Sequence, residues 1–359
     1  MVFYLFLFCL IFLFSFLYSH TKNKIVAVFP LTVTFLLFVI PSSFRAEGIG
    51  TDYFNYKANF YEIAHGVDIS SQWWEPGYYY LNLFIYKIGF DYHVIFAIMS
   101  FFTILFLFLS VSKRTFGIII PIYAFTNYLF TYNGIRQGLT ITMGFYAYTL
   151  YQKKKYVSAF IILGIGYLFH KSIIFLIPII LIMNFIKIDR KWSVIFFIVL
   201  IVVVKLFGMD IIAWGYTNVL EVLGYGGKLS DVMSYFLVKS NTGYGVLLRI
   251  GIYFVMLYLI NNIRNINKLK ENFLYKARFF LLLYFFMDIF HVWTVQEIGR
   301  LKMVYDFALF IPLATIYNYS KYRKLFFIGY FLWLMMNLYL SSTGIQNPNN
   351  AFPYKSLLF

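Results

Sequence analysis

Twelve apolar stretches follow one another along the chain, near 2–19, 25–42, 93–112, 116–132, 135–151, 156–170, 172–186, 192–207, 244–262, 277–297, 303–319 and 325–340. Most come close to the roughly 20 residues a helix needs to cross a bilayer. A soluble domain carries about a quarter charged residues, whereas this chain of 359 residues is 62% hydrophobic and only 12% charged. No water-soluble core of that length hides so much Phe, Tyr, Ile and Leu. A soluble enzyme, a secreted disulfide scaffold and a disordered chain are therefore excluded, and the single Cys9 leaves no cysteine framework or cysteine-rich metal site. The expected fold is an all-α polytopic membrane protein, residues 1–359 forming one integral membrane domain.

In a soluble protein the net charge of +16 would suggest nucleic acid. Here more than half of the 30 Lys and Arg residues collect in or beside six short connections. These hold Lys22 and Lys24; Lys113 and Arg114; Lys153, Lys154 and Lys155; Lys187, Arg190 and Lys191; Arg264, Lys268, Lys270, Lys276 and Arg278; and Lys321, Arg323 and Lys324. Such a bias marks cytoplasmic loops, so the charge implies a bilayer and no nucleic acid. Met1 is followed directly by apolar residues, without a basic start or a small-residue cleavage site, so the first stretch reads as a retained span. Residues 76–90 are apolar but short and contain Asn82 and Lys87. Treated as a re-entrant or interfacial helix, they leave every basic connection on one side. The expected topology is twelve spans, one partial helix and both termini outside.

That topology delivers the outer loop 43–92, a second outer loop 208–243, and the turns near 133–137, 170–171 and 298–302 to the opposite face. Arg45, Asp52, Glu75, Arg136, His170 and Arg300, far apart in sequence, then share one side. Asp52 and Glu75 are carboxylates suited to removing a hydroxyl proton. Tyr53, Tyr56 and Tyr78 offer aromatic faces for a sugar ring or else lie at the membrane interface. Arg136, followed by Gln137 in NGIRQGL, presents a fork that fits phosphate oxygens, the alternative being a snorkel to headgroups. An Arg at such a boundary costs about 2.5–3.5 kcal/mol on insertion scales and normally has a partner. Arg300 raises the same choice, with Glu297 as a structural ion-pair partner, and Arg249 is a weaker third candidate. His170 donates to a phosphate, shuttles a proton or is structural. Asp288 and His291 share a helix face as a proton relay or a pair that holds helices together. The sequence lacks GxxxxGK[ST], HExxH, CxxC and Asp-x-Asp, so neither a metal nor another cofactor is expected.

FRAEGIGTDYFNY, WEPGYYYLN, GIRQGL, FHKSIIF, GRLKMVYDF and the closing Pro353-Tyr354 occur in the order seen in the EpsG/Wzy-like family of bacterial polysaccharide polymerases, which this chain resembles from about residue 40 onward. The resemblance implies a fold like the C-type glycosyltransferase class, in the bacterial cytoplasmic membrane with an outward-facing site. It implies that an undecaprenyl-diphosphate-linked glycan donor passes its growing chain to a new lipid-linked repeat unit, with no nucleotide sugar. A flippase and a chain-length regulator are the implied partners. On this reading Asp52 is the base with Glu75 as substitute, Arg136 and Arg300 clamp the diphosphate, and Arg45 and His170 orient them. A ligase or another outer-face transferase would use the same residues; a flippase would require charges across the midplane and an internal repeat.

Overall fold

A computed structural model of the protein describes residues 1–68, 74–215, 244–263, 268–293, 298–342 and 351–358. They form α1 (Val2–His20), α2 (Lys24–Ser43), α3 (Tyr53–Ala64), α4 (Pro76–Lys87), α5 (His93–Ser110), α6 (Lys113–Tyr123), α7 (Ile135–Gln152), α8 (Tyr156–Phe169), α9 (Leu176–Ile182), α10 (Arg190–Gly215), α11 (Tyr244–Asn261), α12 (Lys268–Trp293), α13 (Ile298–Val304), α14 (Phe307–Tyr319) and α15 (Arg323–Ser342). No strand occurs among the described residues; Arg45 and Ser356 form an isolated antiparallel bridge. Helices α1, α2, α5 and the 190–208 part of α10 are long and apolar enough to cross a membrane. The chain is thus an all-α membrane protein. It divides into two compact units, one made of Met1–Ile180 with Arg323–Phe359 and the other of Leu181–Tyr322.

In the first unit deep burial does not follow apolar character. Helix α7 packs against α5 and α8 and is buried around most of its circumference, although it carries Gln137, Thr140, Thr142 and two glycines. The hydroxyls of Thr140 and Thr142 donate to carbonyls of the preceding turn, Gln137 and Leu139, so their burial leaves no donor unpaired. The outer helices invert soluble-protein logic, since α1 and α2 expose Phe6, Ile25, Val28 and Phe29. In lipid an exposed apolar side chain costs nothing, and the interior is where small and polar residues pack.

The two ends of this unit differ in chemistry. At one end Lys113 Nζ donates to the Thr21 carbonyl at 2.7 Å, and Thr149 donates to the Ser110 carbonyl at 3.2 Å. The connections holding Lys22 and Lys24, Lys113 and Arg114, and Lys153 to Lys155 therefore lie together, as the charge rule requires. At the other end the chain enters α3 through a turn that leans on the end of the Tyr128–Tyr132 stretch. Thr51 N donates to Asn133 Oδ1 at 2.6 Å. Gly50 has φ +99°, and a Cβ there would lie 2.7 Å from the Tyr132 carbonyl oxygen. Residues 351–358 fold back across this end. Ala46 N donates to Lys355 O at 2.9 Å and Leu357 N to Phe44 O at 2.8 Å, while Tyr4 donates to Ala351 O and Tyr354 to Pro41 O, each at 3.0 Å. A polar network also fixes the end of the 43–92 loop. Lys57 and Tyr92 both donate to Glu47, and these bonds hold the Glu47 carboxyl below its usual range, against a small opposing effect of burial.

In the second unit Arg278 Nε donates to Asn261 Oδ1 at 2.7 Å and its Nη1 to Ile188 O at 3.3 Å. Asn261 donates to Ser193 at 3.2 Å. The start of α10, the end of α11 and the start of α12 thus share an end.

The expected partial helix is α4, and every expected span contains helix. Several differ in detail: the 172–186 stretch begins as a 3-10 turn (Lys171–Phe175) and is α-helical only over α9, and the 192–207 stretch runs on to Gly215. The 116–132 stretch is helical only to Tyr123, then continues as a π turn (Ala124–Tyr128) and a 3-10 turn (Leu129–Tyr132). The 277–297 stretch starts at Lys268, because its N-terminal cations continue the helix, and Arg278, expected in a basic loop, is a buried brace. The 303–319 stretch breaks between α13 and α14 at Tyr305 and Asp306. Helix α3 was not expected: its polar sequence, YFNYKANFYEIA, lacks a span's apolar signature. Most of the 208–243 loop, Arg264 and Glu297 lie outside the described residues.

Replacing Gly50 with Ala adds a steric clash to the backbone strain of about 1–3 kcal/mol that a left-handed residue stores. Gly48→Ala, at φ +80° with only the Phe54 ring 3.7 Å away, meets the backbone term alone. Thermal unfolding in detergent should therefore rank Gly50→Ala below Gly48→Ala, and both below the unmodified protein.

Candidate functional site

Three connections meet at the polar end of the first unit: the entry to α4, the entry to α7, and the α8-to-α9 turn. What brings α4 and α8 together is Gly77, whose Cβ, if present, would lie 2.8 Å from the Leu168 carbonyl oxygen. Only a residue without a side chain permits that approach. Two residues before Gly77, Glu75 is the N-cap of α4, yet its side chain makes no capping bond. The carboxylate turns instead to Arg136, whose Nη1 donates to Glu75 Oε2. The other oxygen accepts from Lys171 N at 3.4 Å and lies 4.0 Å from His170 Nδ1.

Arg136 is the second residue of α7, so the positive end of that helix adds to its charge. Its guanidinium lies 4.8 Å from the Tyr78 ring centroid, with the Tyr56 hydroxyl in its electrostatic field. Nε is buried and has no hydrogen-bond partner among the described residues. Tyr56 and Tyr78 are themselves buried, with ring centroids 6.2 Å apart. Gln137 is buried beside Arg136 in the same turn. His170 Nδ1 accepts from Ser172 N at 3.1 Å, which in a neutral ring places the proton on Nε2.

Asp52 is the N-cap of α3, again without a capping bond. The only hydrogen bond of its carboxylate among the described residues is a long one, 3.5 Å from Asn55 Nδ2. Tyr56 N donates to the Asp52 carbonyl at 3.0 Å, so Asp52 heads the helix that carries Tyr56 to this group. Arg45 is fully buried, with Phe96, Tyr132 and Tyr53 ring centroids at 4.3, 5.1 and 5.9 Å. None of its side-chain nitrogens has a hydrogen-bond partner among the described residues. A desolvated cation against an aromatic face gains about 2 kcal/mol or more, so the rings take the place of solvent. Tyr53 lies outside the Arg136 group and hydrogen-bonds Tyr92 at 3.3 Å and His93 at 3.2 Å.

Arg45, Asp52, Tyr56, Glu75, Tyr78, Arg136, Gln137 and His170 therefore gather in one unit. Arg249 belongs to the other, where a second ionic cluster lies. Its Nη1 donates to both Asp288 oxygens at 3.0 and 3.1 Å, and Tyr253 donates to Oδ2 at 2.7 Å. Lys302 Nζ lies 3.6 Å from Asp288 and 3.1 Å from Asp306. Asp288, expected beside His291, is thus held by Arg249, Tyr253 and Lys302. Tyr253, Lys302 and Asp306 were missed as members, although the spacings Arg249–Tyr253 and Lys302–Asp306 are both i, i+4, the interval that shares a helix face. Arg300 is in α13 and its side chain lies outside the described residues. Among the described residues no group of three or more His, Cys, Asp or Glu is placed to hold a metal ion.

The model of the EpsG family matches residues 28–356, nearly the whole chain. No curated protein and no solved structure matches.

Removing one partner of a buried ion pair costs about 3–5 kcal/mol, because the other charge stays buried alone. Arg136→Met should destabilise the protein on that scale, and Arg136→Met with Glu75→Gln should recover much of the loss. Thermal unfolding of the single and double variants in detergent measures both.

Proposed function

We propose that this chain, which belongs to the EpsG family, is a glycosyltransferase that polymerises lipid-linked oligosaccharide repeat units at the outer face of the bacterial cytoplasmic membrane. The observation that carries this reading is the juxtaposition of a phosphate-matching guanidinium, Arg136, with carboxylates, an imidazole and buried tyrosines drawn from α3, α4, α7 and the turn after α8. The basic connections at the opposite end of the same unit support the outward orientation.

The chemistry follows from the leaving group. In the transfer, an acceptor sugar hydroxyl forms a new bond to the anomeric carbon of the donor glycan as the bond from that carbon to the lipid diphosphate breaks. The diphosphate departs as an anion, so holding its charge matters more than protonating it. Arg136, backed by the α7 N-terminus, supplies such fixed positive charge at a partly dry boundary. The hydroxyl proton passes to a carboxylate. Asp52 suits that role better than Glu75, since the Glu75 carboxylate is already engaged by Arg136 and the Lys171 backbone. His170 and Arg45 orient the neighbouring segments, and the tyrosines offer faces to sugar rings. The undecaprenyl diphosphate carrier, Arg300 as a second clamp, and a flippase and chain-length regulator as partners belong to the same proposal.

Arg136→Lys retains the charge but loses the fork, and Asp52→Asn retains the shape but loses the base. Each should leave the protein in the membrane and abolish long-chain polysaccharide, with single repeat units remaining on the surface when glycans are separated by length. Normal polymer in either variant removes that residue from the mechanism; loss of the single unit as well indicates a ligase.

A further inference from the structure

The place on Arg136 where a phosphate would bind is already taken by an anion of the protein itself. Glu75 Oε2 accepts from Arg136 Nη1, and the pair is largely enclosed, with the Glu75 side chain 6% and the Arg136 side chain 21% exposed. The occupation is incomplete. A guanidinium presents parallel donors that match two oxygens of one phosphate, but Glu75 engages Nη1 through one oxygen, and the buried Nε has no partner among the described residues. The Tyr78 ring, with its centroid 4.8 Å from the guanidinium carbon, packs against the cation and helps hold it in place while the acceptor is exchanged. Glu75 also has somewhere to go. Its Oε1 already accepts a long bond from Lys171 N at 3.4 Å, and a small rotation toward that turn would shorten this bond as Arg136 is released.

A membrane protein with an exposed arginine fork meets phospholipid headgroups at high local concentration. Each headgroup phosphodiester carries about one negative charge, whereas a diphosphate diester carries about two. An internal carboxylate of one charge competes with the first on equal terms and is outbid by the second. We propose that Glu75 is a specificity element: it occupies the Arg136 fork as an internal anion, excludes singly charged phosphodiesters, and yields to a diphosphate. This inference rests on the reading of Arg136 as a phosphate ligand. It makes Glu75 a positioning residue whose displacement registers that the right ligand has arrived.

The test is calorimetric titration of the full-length protein in a non-ionic detergent with two probes, inorganic pyrophosphate and dimethyl phosphate. The unmodified protein should bind pyrophosphate and give no heat with dimethyl phosphate. Glu75→Gln should bind pyrophosphate about tenfold more tightly, within the usual range of coupling between sites, and should gain measurable binding of dimethyl phosphate. Glu75→Asp, which keeps the charge but retracts it, should fall between the two and serves if the Gln variant fails to fold. Unchanged or weaker pyrophosphate binding in both variants overturns the competition. If Arg136→Gln still lowers pyrophosphate binding in that case, the phosphate-ligand reading stands while the specificity role falls. Pyrophosphate binding that Arg136→Gln does not alter overturns both.

Discussion

The polar end of the first unit depends on one buried ion pair, Glu75 with Arg136. The pair ties the first turn of α4 to the first turn of α7 across sixty-one residues of sequence. It stands where the interior gives way to the surface, so neither charge is fully hydrated and neither can be left alone. The surrounding features serve that joint. Gly77 lets α4 reach α8, bringing Lys171 and His170 to the carboxylate, and the Tyr78 ring packs against the guanidinium. The break of the 116–132 stretch into π and 3-10 turns sets the chain direction ahead of α7, so that Arg136 opens the helix facing the group.

The sequence made legible whatever follows from hydropathy and charge bias. Apolar runs located the helices, and the Lys and Arg residues of the short connections separated the two ends of the first unit. From that separation Arg45, Asp52, Glu75, Arg136 and His170 could be placed together before any contact was known. Hydropathy is blind to packing partners, however. It ranks α1 and α2 high because they face lipid, although the buried centre is α7, whose glycines and threonines look unpromising as core. It passed over α3, a polar helix held by contacts at the loop end. It also could not show that Asp288 would pair with Arg249 from another helix instead of His291 on its own.

Two arginines illustrate two ways of keeping a cation inside. Arg136 has a carboxylate and spare donors, which suits exchange of one acceptor for another. Arg45 has three aromatic rings and, among the described residues, no acceptor, and exchanging those rings would mean dismantling the packing of α3, α5 and residues 128–132. The surroundings of the two differ accordingly, an exchangeable ionic contact for Arg136 and fixed ring packing for Arg45. Arg249, gripped by both oxygens of Asp288, resembles neither, and the other partners of that carboxylate, Tyr253 and Lys302, with Asp306 beside Lys302, make it part of a fixed charge-balanced group in the second unit.

The segment 351–358, bonded to Phe44, Ala46, Tyr4 and Pro41, has a consequence for biogenesis. Its contacts flank Arg45, near the beginning of the chain, but the ribosome delivers it only after the whole second unit has emerged. The first unit must therefore wait in the bilayer with this end unlatched while residues 181–322 are inserted. Membrane chaperones that shield unfinished polar surfaces would have their longest engagement with this protein there, and nascent chains halted before residue 350 should be handed to quality-control proteases.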